Sequence, residues 1–142
     1  MSVSLWEILA ILVFVVVGGL IALSIAERGR VWRIRLAIAQ RQGLTRSEFI
    51  QHFAAIPERV SASVYDYFSG GDATVTVSPD DSVVDVWNFD GDRFEEALDL
   101  ILGEMKIPRK AADEALRQFP RNVLTVSELV DLLLFVDSCR NA

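Results

Sequence analysis

The chain of 142 residues has one cysteine and one histidine, and each shortage narrows what it can be. A lone thiol, Cys139, excludes an internal disulfide framework and any zinc or iron–sulfur site built from several cysteines. A lone imidazole, His52, excludes a metal motif that needs two histidines. There is no P-loop, no dinucleotide-binding glycine pattern, no internal repeat and no low-complexity tract. Cations are also scarce: 14 Lys+Arg face 20 Asp+Glu, for a net charge of −6. Apolar residues are not scarce. They make up 51% of the chain, too much for a disordered polymer, and the length allows one compact domain plus an appendage.

Charge is missing entirely over one stretch. The nineteen residues 8–26, between Glu7 and Glu27, hold none. At ~1.5 Å per residue they cover about 28 Å, close to the ~30 Å hydrocarbon core of a bilayer. Trp6 and Trp32 flank the run, where indoles favour the membrane interface. A cleavable leader is the competing reading, with cleavage near Ala22 to Ala26. It fits less well, because a leader has a basic start and a shorter apolar run of roughly 7–15 residues. The expectation is a transmembrane anchor over residues 1–27.

Residues 27–46 then carry six arginines against one acid, a local charge of +5. Such residues collect on the cytoplasmic side, so the C-terminal part is expected in the cytoplasm of a bacterial inner-membrane protein. Around Trp32, apolar and basic residues alternate. This basic stalk, residues 28–46, is expected to run along the bilayer surface with Arg28, Arg30, Arg33 and Arg35 near anionic headgroups, at ~1 kcal/mol each. Membrane proximity explains these arginines without nucleic acid.

Residues 47–142 hold 8 basic and 18 acidic groups, a net charge of −10. Two capping boxes, Thr45-Arg46-Ser47-Glu48 and Thr125-Val126-Ser127-Glu128, open helices, because each hydroxyl and carboxylate can bond the other's backbone amide. Between them, Pro57 suits the first turn of a helix that Gly70-Gly71 ends. Residues 72–85 read as a loop, with one alternating segment at 73–77 that lacks a strand partner. Val83, Val84, Val86, Trp87 and Phe89 are apolar enough to pack back on the helices. Asp92, as N-cap, opens a strongly amphipathic helix with Phe94, Leu98, Ile101 and Leu102 inward and Asp92, Glu95, Glu96 and Asp99 outward. A shorter helix ends at Pro120. The expected fold class is all-α: a single transmembrane helix followed by a helical bundle over residues 47–138.

Tests for chemistry are mostly negative. With Gly91 as position six of a calcium loop, positions one and twelve fall on Val86 and Ala97, one residue out of register with Asp85 and Glu96. No metal site is expected. His52 sits beside Phe53 on a short helix, and the serines have no histidine near them in sequence. Neither an enzyme nor a cofactor is expected. The four carboxylates Asp92, Glu95, Glu96 and Asp99 are the functional candidate, because concentrated negative potential speeds encounter with a basic partner and orients it.

From about residue 57 to residue 135 the pattern resembles the acyl carrier proteins. The resemblance rests on the first amphipathic helix and a long loop with Asp81-Ser82-Val83-Val84-Asp85. It rests also on the acidic second helix, a short third one and the closing Leu124-Thr125-Val126-Ser127-Glu128-Leu129-Val130-Asp131. It implies an acyl-carrier-like four-helix bundle and an acidic recognition helix. In that family a serine in Asp-Ser-Leu at the start of the second helix carries phosphopantetheine. Here Asp92-Arg93-Phe94 stands there, and arginine has no hydroxyl to modify. The resemblance therefore implies the fold without acyl carriage, as in bacterial carrier-like proteins that lack the attachment serine. The alternative is a working carrier modified at Ser82 of the loop.

Overall fold

The computed structural model describes residues 4–120 and 122–141. Those residues form six helices and no strand: α1 (Leu5–Ala39), α2 (Arg46–His52), α3 (Glu58–Ser69), α4 (Gly91–Glu104), α5 (Arg109–Gln118) and α6 (Val126–Asn141). Residues 1–3, the start of the expected anchor, lie outside the described set. The chain divides into two compact units, one ending at Arg35 and the other beginning at Leu36.

Among its described residues the first unit is helical from Leu5 onward. α1 has 35 residues, about 52 Å at ~1.5 Å per residue, so it exceeds a hydrocarbon core and carries Arg28, Arg30, Arg33 and Arg35 on the same helix as the apolar run. No α1 residue is buried, and the most apolar window has a mean hydropathy of 3.0. This helix is long and apolar enough to cross a membrane. An apolar surface so fully exposed is unfavourable in water by ~25 cal/mol per Å², which a lipid environment removes.

The second unit is built around the inward stripes of its helices. Phe49 of α2, Val60 and Val64 of α3, Leu98, Ile101 and Leu102 of α4, and Leu129 and Leu133 of α6 are all buried. α3 lies between α2, α4 and α6, and α5 packs on α6. Both capping boxes form. The Thr45 amide and hydroxyl donate to Glu48 Oε2 at 2.8 and 2.7 Å, and the Leu124 and Thr125 amides donate to Glu128 Oε2 at 2.7 and 2.9 Å. Bonds to its ionised form hold the Glu48 carboxyl below the usual glutamate range, the Thr45 amide contributing most. Pro57 and Pro108 stand at the N-caps of α3 and α5, one residue before the first helical position. α3 ends at Gly70, whose φ of 60° is the left-handed geometry that glycine adopts without strain. α4 begins earlier than the sequence suggests. Asp90 is its N-cap, so Asp92 lies inside the first turn.

The long loop between α3 and α4 is pinned rather than loose. Val77 and Leu44 exchange backbone bonds of 3.2 and 3.0 Å, a single bridge that uses the alternating segment without making a strand. The Tyr65 hydroxyl hydrogen-bonds with the Leu44 and Val75 carbonyls at 3.2 and 3.1 Å. Val83 N donates to Leu124 O at 3.0 Å, which ties the loop to the start of α6. Val83 and Trp87 are buried, and Phe89 stacks on Phe68 with centroids 5.2 Å apart.

Beneath the loop lies a buried ion pair. Asp81, with 2% of its side chain exposed, meets Arg41. Arg41 also donates to the Thr76 carbonyl at 2.8 Å, while Trp87 Nε1 and the Ser78 amide donate to Asp81 Oδ2 at 3.2 and 3.0 Å. Arg41 thus belongs to the folded unit and not to a membrane-facing stalk. Arg46 does too, through paired bonds to Asp66 at 2.8 and 3.1 Å. With both counted there, residues 36–142 carry 10 basic and 18 acidic groups, a net charge of −8.

Candidate docking face and apolar groove

The four carboxylates singled out from the sequence are all exposed on α4, but they are not equivalent. Arg109, the first residue of α5, reaches back across the α4–α5 turn and pairs with Glu95 through Nη2 and with Asp99 through Nη1. Its Nε donates to Asp113 Oδ1 at 2.7 Å, one helical turn further along α5. Three carboxylates around one guanidinium hold its proton more firmly than usual, Asp113 contributing most. Glu95 and Asp99 are therefore engaged in joining α4 to α5. Asp92 and Glu96, spaced one turn apart along α4, have no ion pair among the described residues.

Beside these acids the surface opens into a groove of about 620 Å³. Val83, Val84, Phe89, Phe94, Leu116 and Phe119 supply most of its apolar wall, and Asp90 and Glu95 also line it. Helix geometry explains the juxtaposition. Phe94 turns toward the bundle from the first turn of α4, next to the carboxylates that favour the positive end of the helix dipole. Val84 stays 46% exposed, and Leu124, tied to Val83 through the backbone, is 60% exposed.

The remaining sequence candidates fall elsewhere. Arg93 is the third residue of α4, at the position discussed for an attachment serine. Ser82 lies in the preceding loop; its Oγ accepts from the Asp85 amide at 3.0 Å and donates to the Asp85 carboxylate at 3.2 Å. That hydroxyl completes a turn. Arg28, Arg33 and Arg35 are exposed on α1, and Arg30 pairs with Glu27 on the same helix. His52 is exposed, edge-on to Phe53 with centroids 4.9 Å apart. Cys139 is exposed as well. Among the described residues no cluster of three or more His, Cys, Asp or Glu could hold a metal ion.

Sequence reasoning missed the Arg109 clamp and the groove. Arg109 and Asp113 carry a legible four-residue spacing, but the bonds of Arg109 to α4 depend on the turn through Lys106, which holds a φ of 56°. The groove joins residues more than thirty positions apart, from Val83 to Phe119, and no local periodicity shows such a meeting. No protein-family model, curated protein or solved structure matches this chain.

Proposed function

We propose that this protein is a membrane-anchored, non-enzymatic docking module. In this reading α1 fixes it in a bacterial inner membrane with a single pass. Arg28, Arg30, Arg33 and Arg35 sit at the cytoplasmic headgroups. The second unit, with an acyl-carrier-like bundle, presents α4 to a basic protein partner in the cytoplasm.

The observation that carries the reading is the charge arrangement. A unit of net charge −8 leaves Asp92 and Glu96 exposed on α4 without an ion pair among the described residues, next to two further carboxylates already balanced by Arg109. An exposed, unneutralised patch raises the local concentration of a cationic surface and sets its orientation more than it adds raw affinity. The four-residue site Asp92, Glu95, Glu96 and Asp99 thus divides into a receiving pair and a scaffold pair.

The test is recovery of bound proteins from membranes containing the wild-type chain or a variant with charge reversed at all four positions. Loss of a reproducible basic partner supports docking, and identical partner sets overturn it. Mass measurement after co-expression with a broad phosphopantetheinyl transferase separates this reading from a carrier. Docking predicts an unchanged mass. A cofactor-sized gain that Ser82→Ala abolishes would establish carriage.

A further inference from the structure

We infer that the groove beside α4 receives an apolar side chain from a basic amphipathic segment of that partner. The inference rests on the docking reading and names the chemistry of what docks.

The groove has the size of a binding cleft, about 620 Å³, within the roughly 300–1,000 Å³ of ligand pockets. Its walls are aromatic and aliphatic, chiefly Phe89, Phe94, Leu116 and Phe119. Among the described residues the groove stands open, and Val84 in its wall is 46% exposed. Such a surface is unfavourable in water at ~25 cal/mol per Å², so an occupant that covers it gains by that amount.

Charge complementarity selects the occupant. Asp90 and Glu95 line the groove, and Asp92 and Glu96 stand on the same end of α4. A fatty acid entering tail first would bring its carboxylate toward these acids, and like charges brought together raise the energy. A peptide with Leu, Ile or Phe flanked by Lys or Arg meets the opposite situation. Its apolar side chain fills the cleft while its cations face the carboxylates, the arrangement by which an amphipathic segment docks in a groove. Arg109 already pairs with Glu95 and Asp99, which leaves Asp90 as the groove-lining carboxylate without an ion pair among the described residues.

The experiment places a photo-crosslinking phenylalanine analogue in the full-length chain, in the membranes of cells that make it. Val84 and Asn122 report on the groove, and exposed Leu100 reports on the neighbouring face of α4. The expected result is that all three positions capture one protein. The peptide joined at Val84 and Asn122 then carries an aliphatic or aromatic residue within one helical turn of Lys or Arg. Introducing Val84→Asp lowers capture at Asn122 by about tenfold, as a charge buried against an apolar contact would. If Leu100 captures a basic protein but the groove positions capture lipid, fatty acid, a second copy of this chain or nothing, the inference falls and docking stands. If no position captures a basic protein, both fall.

Discussion

Replacing Asp81 by alanine should remove much of the stability of the second unit. Its carboxylate is 2% exposed and faces Arg41, whose side chain is 17% exposed. Trp87 Nε1 and the Ser78 amide donate to the same oxygen. Removing the acid leaves a largely buried guanidinium without its counter-ion and strands two donors. Breaking a buried pair in this way costs about 3–5 kcal/mol, a large share of the 5–15 kcal/mol typical of a whole domain. Asp81→Asn should cost less, because an amide oxygen still accepts from Trp87 and Ser78. The pair's mutual term follows from Arg41→Met, Asp81→Leu and the Arg41→Met/Asp81→Leu double variant. Joint replacement by apolar groups should recover at least half of the single-variant loss, since neither charge is then stranded. Urea unfolding in detergent micelles measures this, with Trp87 fluorescence followed in a Trp6→Phe/Trp32→Phe background. At a slope of about 1–1.5 kcal/mol per M, the Asp81→Ala midpoint falls by roughly 2–5 M. A loss below about 1 kcal/mol, the range of surface pairs, would refute the buried-pair account.

Gly43→Ala should destabilise by about 1–3 kcal/mol, read by the same urea midpoint, because the new Cβ would collide with Thr76 Oγ1 and lie 2.6 Å from Arg41 Nη1. Arg109→Ala should cost about 1 kcal/mol at low ionic strength, as its partners are accessible to solvent, and thermal melts in about 0.5 M salt should show a smaller difference. Glu48→Gln should change the acid limb of stability. A carboxyl held below its unfolded value stabilises the fold above that value and loses the contribution as pH falls through the folded one. The wild type should therefore lose melting temperature on acidification more steeply than Glu48→Gln, and parallel curves would contradict the capping role.

Helices and their starts were legible in the sequence because capping and periodicity are local. Thr45 and Thr125 with their glutamates mark α2 and α6, and the inward residues of α4 follow a helical spacing that survives packing. The start of α4 was displaced because Asp90 and Asp92 are both acceptable caps, and only the loop's path chooses between them. In the sequence the stalk is one run of six arginines, yet Arg41 pairs with buried Asp81 and Arg46 with exposed Asp66, 40 and 20 residues away. A charge count along the chain has no access to such pairings. The acidic candidate site was visible as a cluster, but its division by Arg109 and its position beside the groove are tertiary facts.

The most direct measurement of the docking account compares two charge-altered variants for partner recovery from native membranes. Asp92→Lys/Glu96→Lys reverses the unpaired carboxylates, whereas Glu95→Gln/Asp99→Asn neutralises those held by Arg109. The account predicts that the first variant loses the basic partner and the second retains it, with wild-type binding weakened by salt. Equal recovery by the wild type and both variants, insensitive to salt, would contradict it.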